Sequence, residues 1–279
     1  MNSEKSGAIP VLLFKYGGNA MSDDRLKKEV LKNIGKLKES GVRIVIVHGG
    51  GPFIKHALQE AKIESEFIDG QRKTTPEAFE HVEMALKGKV NSQLVGLMNG
   101  LGYKAVGLSG QDGQTVLAKK RYHETMIEGK MQPVDLGQVG DVSRIRPDLI
   151  SLLLRNEFIP VISCTAADEN GLGYNINADM FAGHMAGALQ ADQYIVLTDV
   201  DGLMKDKDDP ITLINEIELH QLKALVEDGT IQGGMIPKIE SCEIALKHGA
   251  KSARIINGTK PEQIQQIVNN STIGTNIKK

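Results

Sequence analysis

Two hydrophobic patterns alternate along the chain. Short apolar runs rich in β-branched residues, typical of buried strands, occupy residues 11–14, 42–47, 159–163, 194–198 and 252–256. Apolar residues recur with helical spacing in segments between them, as at residues 26–37, 79–101 and 181–189. Strands that alternate with helices in this way predict parallel βαβ units, with helices covering both faces of the sheet.

The segment from about residue 116 to residue 145 has a different pattern. Short alternating runs are separated there by Gly, Pro and charged turns, which predicts hairpins inserted beside the parallel sheet. No internal repeat, low-complexity tract or long linker divides the sequence. We therefore expect residues 1–279 to form a single α/β domain built on a mainly parallel open sheet.

Composition narrows the class of protein. Cys164 and Cys242 are the only cysteines, which excludes a disulfide scaffold and paired-cysteine zinc sites and favours a reducing compartment. The 33 Lys+Arg and 35 Asp+Glu give a formal net charge of −2, so no basic footprint predicts nucleic-acid binding. No apolar run approaches the roughly 20 residues of a membrane span, and the first residues lack a signal-peptide core. We expect a cytoplasmic protein without membrane contact.

Glycine is over-represented, with 30 residues in 279, and the excess gathers in particular loops. Gly49, Gly50 and Gly51 follow a predicted strand and precede Pro52, which suits the first turn of a helix. Such a junction presents backbone N–H groups at the positive end of a helix dipole, so it favours an anion such as phosphate. The spacing is neither Walker A nor G-x-G-x-x-G. A tight turn without ligand is the alternative.

Two lysines accompany other glycine turns. Lys15 ends the first predicted strand, and Gly17 and Gly18 follow it. Ligands in open α/β sheets gather beyond the carboxyl ends of strands, which makes Lys15 a candidate phosphate partner. Lys238 directly follows Pro237 at the start of another helix, where a cation opposes the helix dipole unless an anion is near. An ordinary surface lysine is the alternative in each case.

Polar residues cluster at two further strand ends. Asn175, Asn177 and Asp179 alternate just before or at the start of a helix, which is more than a helix cap requires. Thr198 and Asp199 end a strand and are plausible contacts to a nucleotide, although a turn with Asx hydrogen bonds explains them equally well. The sequence has neither a G-x-S-x-G elbow nor an H-E-x-x-H helix, which disfavours a serine hydrolase and a zinc protease.

Seven segments in this order resemble the amino acid kinase family: KYGGNAM, VHGGGP, GQRKTTPE, GLSGQDG, YNINADMFAG, LTDVDGLM and GGMIPKIESC. Within that family they are most similar to the branch that phosphorylates N-acetyl-L-glutamate in arginine biosynthesis. The resemblance covers about residues 10 to 277 and implies a three-layer αβα sandwich. It also implies an N-terminal lobe, about 10–185, for the acyl substrate and dimerisation, and a C-terminal lobe, about 186–279, for ATP.

The resemblance implies transfer of the γ-phosphoryl group of MgATP to the side-chain carboxylate of N-acetyl-L-glutamate. Lys15 and Lys238 would neutralise the transferred phosphoryl and the leaving group, and Asp179 would orient both lysines. The remaining implied roles are phosphate binding by the amides of Gly17, Gly18, Gly49, Gly50 and Gly51, substrate binding by Gly50, Gly51, Arg72 and Asn175, and nucleotide binding by Thr198, Asp199, Gly234 and Met235. Mg²⁺ would be held mainly by ATP phosphates and water, with no protein metal site.

Two alternative functions remain open on the sequence. One is a sister carboxylate kinase that acts on aminoadipate or aspartate, and the other is a non-catalytic ligand sensor of the same fold. Few residues precede the first strand, and Arg254 stands where arginine-inhibited members have histidine, so we do not expect arginine inhibition. A homodimer built partly on a long helix, from Pro76 to about Asn99, is the expected assembly.

Overall fold

A computed structural model describes residues 9–21, 23–127, 129–206, 209–268 and 272–279. The strands are β1 (Val11–Tyr16), β2 (Arg43–His48), β3 (Phe67–Ile68), β4 (Gln71–Arg72), β5 (Ala105–Ser109), β6 (Val116–Ile127), β7 (Lys130–Ile145), β8 (Ile159–Ser163), β9 (Thr165–Ala167), β10 (Gly173–Ile176), β11 (Gln193–Thr198), β12 (Glu216–Glu218), β13 (Ala253–Asn257) and β14 (Thr275–Lys278). The α-helices are α1 (Asp24–Glu39), α2 (Gly51–Glu60), α3 (Pro76–Glu83), α4 (Ser92–Gly100), α5 (Asp148–Arg155), α6 (Ala178–Ala188), α7 (Leu219–Glu227), α8 (Ile236–Lys247) and α9 (Gln263–Gln266).

The central sheet has the strand order β12-β14-β13-β11-β1-β2-β8-β5. Strands β5, β8, β2, β1, β11 and β13 are parallel, whereas β14 pairs antiparallel with β13. All five strands predicted from the apolar runs lie in this parallel core. The edge strands β5 and β12, and β14 beside β12, were not predicted, because their short sequences lack a continuous apolar run.

Two apolar clusters cover the two faces of the sheet. Alternate residues of β1 separate between them, with Leu13 in the cluster that contains α2, α6 and α8 and Phe14 in the cluster that contains α1, α4 and α9. This alternation follows from the pleat of a strand, which sends successive side chains to opposite faces. The predicted three-layer αβα sandwich is therefore confirmed. Each helix in the described ranges is too short or too polar to cross a membrane.

The predicted insertion at about residues 116–145 is also confirmed, but it forms one long hairpin where the short alternating runs predicted several. Strands β6 and β7 form a long antiparallel hairpin, which joins β9 and β10 in a closed ring of four strands. A second small hairpin, β3–β4, lies against it, since Thr74 after β4 bridges Gly137 of β7. These strands stand beside the main sheet, near the carboxyl end of β8.

The predicted long helix is interrupted by a change in winding. Helices α3 and α4 are joined by a π-helical segment, Met84–Asn91, so that the three run as one continuous rod. Thr75 caps the amino end, where its Oγ1 accepts the amide of Ala78 at 3.2 Å. Widened turns of this kind occur often at functional sites, and this one ends at Asn91, beneath the glycine turn between β2 and α2.

Candidate active site

Lys15 and Asp179 form a buried ion pair at the carboxyl end of β1. The Nζ atom of Lys15 lies 3.0 Å from Oδ1 of Asp179, and both residues are more than nine-tenths buried. Asp179 lies in the first turn of α6, which Asn177 caps by accepting the Asp179 amide at 2.8 Å. A carboxylate is favoured at this end of a helix. Loss of either partner would leave an uncompensated buried charge.

Lys238 approaches the same pair from α8. It occupies the third position of this helix, after Pro237, as the sequence predicts. Its Nζ donates a hydrogen bond to the carbonyl oxygen of Gly234 at 3.2 Å. Partial burial lowers the pKa of Lys238, and the nearby Lys15 adds to that effect, while Asp179 and Asp199 oppose it. Two cations thus lie in one region, and a bound anion would reduce the electrostatic repulsion between them.

A cavity of about 410 Å³ opens directly over these charges. It lies at the carboxyl ends of β1 and β11, the edge of a parallel sheet where ligands bind in open α/β folds. Eight of the predicted site residues line it: Lys15, Gly17, Gly18, Thr198, Asp199, Gly234, Met235 and Lys238. The structure therefore brings together predicted phosphate and nucleotide residues from three separate segments, and Leu197 and Val200 are additional lining residues.

The turn from Gly49 to Gly51 lies beside this cavity. The Gly49 amide donates to the Tyr16 carbonyl at 3.2 Å, so it is engaged rather than open to a phosphate as predicted. The amides of Gly50 and Gly51 have no acceptor within the part of the chain that the structure describes. Gly50 also packs closely on the π-helical segment, since a Cβ there would lie 2.7 Å from Leu86 Cδ2. Two of the three predicted donors thus remain available.

Arg72 lies on the β3–β4 hairpin, outside the cavity. Its guanidinium carbon lies 4.5 Å from the centre of the Phe67 ring, and its Nη1 donates to Ser65 Oγ. Burial lowers the pKa of Arg72, although the group stays a cation at any pH of interest. The stacked ring and the hydroxyl hold the guanidinium in one orientation, which favours recognition of a planar carboxylate.

Asn175 reaches the same neighbourhood through the second sheet. It lies on β10 and pairs with Val139 of β7, two residues from the bridge between Gly137 and Thr74. The segments that carry Asn175 and Arg72 therefore both pair with strand β7, although the sequence separates the two residues by about 100 positions. Within the described chain no hydrogen bond engages the Asn175 side chain, so its amide is available to a ligand.

Sequence reasoning missed two polar residues near the site. His48, the last residue of β2, is fully buried beneath the glycine turn, and Asn91 hydrogen-bonds it from the π-helical segment. A histidine directly before three glycines was a visible local signal. Asn91 carried no signal, because its partner lies 43 residues away in sequence.

The chain matches known proteins over nearly its whole length. The sequence profile of the amino acid kinase family matches residues 10–257. The chain belongs to the amino acid kinase family. Acetylglutamate kinase of Methanocaldococcus jannaschii is 44% identical over 269 residues, which are 96% of this chain and 90% of that protein. Acetylglutamate kinase of Heliobacterium modesticaldum is 43% identical over 270 residues, or 96% and 92% of the two chains. These matches confirm the family inferred from the motifs.

A solved structure agrees on the fold. N-acetylglutamate synthase from Neisseria gonorrhoeae, complexed with coenzyme A and N-acetyl-glutamate, superposes with a TM-score of 0.80 at 21% identity. The superposition covers 97% of this chain and 59% of that one. At such low identity the likeness concerns architecture alone. It supports the three-layer sandwich described above.

Proposed function

We propose that this protein catalyses the ATP-dependent phosphorylation of the side-chain carboxylate of N-acetyl-L-glutamate, as a step of arginine biosynthesis. Two acetylglutamate kinases more than 40% identical to it over nearly the full chain support the reaction. The structural observation that carries the proposal is the group of Lys15, Asp179 and Lys238 at one cavity.

The chemistry needs positioning and charge neutralisation. The acceptor is a carboxylate with a reference pKa of about 4.3, so it is ionised near pH 7 and needs no general base. One of its oxygens attacks the γ-phosphorus, the bond from that phosphorus to the bridging oxygen breaks, and ADP leaves. Lys15 and Lys238 neutralise the charge on the transferred phosphoryl and on the leaving phosphate. Asp179 holds Lys15 at the site through the 3.0 Å ion pair.

The ATP site extends over two adjoining cavities. The first holds the phosphates among Lys15, Gly17, Gly18 and Lys238. The second, also about 410 Å³, shares Val200 and Met235 with the first and adds the apolar side chains of Leu203, Met204 and Ile231. Lys205, Asp206, Thr230 and Gln232 also line the second cavity. Such mixed walls suit a nucleobase, which has flat apolar faces and polar edges, and the adjoining cationic cavity suits the charged phosphates. Thr198, Asp199 and Gly234 line the first cavity.

Mg²⁺ enters as part of the nucleotide substrate. The described residues include no cluster of three His, Cys, Asp or Glu side chains able to hold a metal ion. Asp199 is a carboxylate that lines the phosphate cavity, and Mg²⁺ is commonly held by one or two carboxylates together with substrate phosphates and water. The residues present therefore fit an ion that arrives bound to ATP.

The acyl substrate lies on the other side of Lys15. Gly50 and Gly51 offer free amides there, and Arg72 and Asn175 bind the α-carboxylate. We accordingly assign residues of about 10–185 to the acyl substrate and residues of about 186–279 to ATP. Both parts share one sheet, because β1 pairs directly with β11.

A coupled assay of ADP release tests the proposed reaction. N-acetyl-L-glutamate, glutamate, aspartate and aminoadipate are each offered with MgATP to the purified protein. We expect turnover to be fastest with N-acetyl-L-glutamate. Faster turnover of aminoadipate or aspartate would favour a sister carboxylate kinase, and binding of ATP without any turnover would favour a ligand sensor. The presence of Lys15, Asp179 and Lys238 together argues against the sensor.

We also propose a homodimer that uses the long helix from Pro76 to about Asn99. Met84 on this helix is 56% exposed. It borders a surface depression of about 400 Å³. Its other lining residues are both apolar and polar: Phe53, Ala57, Ala61, Ala85, His56, Glu60, His81 and Lys89. A second copy of the chain would cover Met84 and this depression.

A further inference from the structure

His48 and Asn91 form a buried hydrogen-bond chain beneath the glycine turn. Nδ2 of Asn91 lies 2.9 Å from Nε2 of His48 and 2.9 Å from the carbonyl oxygen of Val161. Nδ1 of His48 lies 2.9 Å from the carbonyl oxygen of Gly49. His48 is fully buried, and this burial lowers its pKa to about 4. The imidazole is therefore neutral near pH 7.

The chain of partners determines where each proton lies. The Val161 carbonyl can only accept a hydrogen bond, so the Asn91 atom that faces it must be the amide nitrogen. The second hydrogen of that nitrogen is donated to Nε2 of His48 at 2.9 Å, a closer partner than the carbonyl oxygen of Leu108 at 3.4 Å, so Nε2 accepts and carries no proton. A neutral imidazole with a bare Nε2 has its proton on Nδ1. His48 therefore donates to the Gly49 carbonyl.

That last hydrogen bond sets the orientation of the turn. In a planar trans peptide the carbonyl of one residue and the N–H of the next point to opposite sides, and the described residues contain no cis peptide. Because the Gly49 carbonyl points to His48, the Gly50 N–H points to the opposite side, and Gly50 is the N-cap residue at the amino end of α2. Gly51 is exposed at that end.

We propose that His48, held by Asn91, is a positioning residue that fixes the Gly49–Gly50 peptide with the Gly50 amide facing the transferred phosphoryl group. This inference rests on the proposed kinase reaction. It also explains Gly107, on strand β5, which β8 separates from β2 and which the mechanism does not otherwise use. A Cβ at Gly107 would lie 2.1 Å from Asn91 Oδ1, so only glycine leaves room for Asn91 to reach His48.

Two variants and a matched control test the role by kinetics. His48→Phe removes both ring nitrogens, and Asn91→Leu removes the donors with little change of volume. Asn33→Leu is the control, because Asn33 is also a buried helical asparagine whose amide donates to a carbonyl, that of Glu29 at 2.8 Å, but on α1. We expect kcat to fall about 10- to 100-fold in the two test variants, with KM changed little, because a displaced donor weakens mainly the transition state. Asn33→Leu should keep wild-type kcat.

The proposal is overturned if kcat in Asn91→Leu falls no further than in Asn33→Leu. A second measurement needs no variant: the ¹⁵N NMR spectrum of the wild-type imidazole should show Nδ1 protonated and Nε2 bare near pH 7. The opposite tautomer, or a charged ring, would also overturn it. A wild-type protein that does not phosphorylate N-acetyl-L-glutamate would contradict the proposed function instead, and the tautomer would still decide whether His48 fixes the turn.

Discussion

Lys238 is the charged residue whose role can be tested most directly by truncation. It lies half-buried in the first turn of α8, with Asp179 and Asp199 near it, and lines the phosphate cavity. We expect Lys238→Ala to lower kcat by at least about 100-fold, the scale for loss of one preorganised electrostatic partner. Steady-state kinetics with MgATP measure it. Lys247→Ala, on the exposed end of the same helix, is the control and should have wild-type kcat; equal rates in the two variants would contradict the assignment.

Arg72 is expected to act on binding rather than on the chemical step. Its guanidinium is held by Phe67 and Ser65 on the β3–β4 hairpin, away from Lys15 and Lys238. Arg72→Ala should therefore raise KM for the acyl substrate by about tenfold or more and leave kcat nearly unchanged. Lys73→Ala is the control, since Lys73 is adjacent and pairs with Glu66 on the surface. An unchanged KM would remove Arg72 from the substrate site.

His48 should make the fold sensitive to acid. Its pKa in the folded protein is about 4, against 6.5 for the free side chain, because burial opposes the charged form. The unfolded chain then binds more protons between these values, so stability is complete above about pH 6.5 and is lost as the pH falls toward 4. The loss from this residue is about 3 kcal/mol. Urea denaturation across that range measures it, and His48→Phe should lack this part of the pH dependence. An identical pH dependence in both proteins would disprove the assignment.

At the scale of elements, a polar clasp joins the β3–β4 hairpin to β6. Asp69 Oδ2 accepts from His123 Nε2 at 2.7 Å, and Gln71 Nε2 donates to His123 Nδ1 at 3.1 Å. Hydrogen bonds from Thr125 and His123 lower the pKa of Asp69. Because Asp69 is mostly exposed, the clasp contributes little to global stability. Its expected effect is local, on the hairpin that carries Arg72.

His123→Ala should therefore raise KM for the acyl substrate several-fold while changing the free energy of unfolding little. A freed hairpin must be ordered again when the substrate binds, and that entropy weakens binding. Tyr122→Ala is the matched control, since Tyr122 is the preceding residue of β6 and its side chain is 63% exposed. KM measured for the two variants decides the role, and equal values would show that the clasp does not position the hairpin.

At the scale of the whole molecule, the proposed homodimer is tested by measuring the molecular mass of the protein in solution. Met84 and Met131 are equally exposed, at 56% and 57%, but Met84 lies on the long helix and Met131 at the tip of the β6–β7 hairpin. We expect sedimentation of the wild-type protein to give a dimer, and Met84→Glu to give a monomer because a charge would be buried at the interface. Met131→Glu should remain dimeric. A wild-type monomer, or a dimer that survives Met84→Glu, would contradict the proposed interface.

Local sequence signals were sufficient to predict the architecture and many of the residues that line the cavity over Lys15 and Lys238. The apolar period identifies the parallel strands, and the carboxyl ends of parallel strands meet at one edge of a sheet. Glycines and lysines that directly follow those strands, such as Lys15 and Gly17, must therefore come together. Pro52 and Pro237 likewise mark helix starts by their own chemistry, and the structure has helices beginning there.

The sequence by itself thus determined the layers, the order of the loops and the residue types that line the cavity, because each depends on residues close together in the chain. The tertiary structure alone decided which amides are free and which side chains hold them. Gly49 donates to Tyr16, and His48 meets Asn91 across Gly107, through contacts between distant segments. Such contacts depend on how helices and strands pack and on the space a missing Cβ leaves, neither of which has a local period in the sequence.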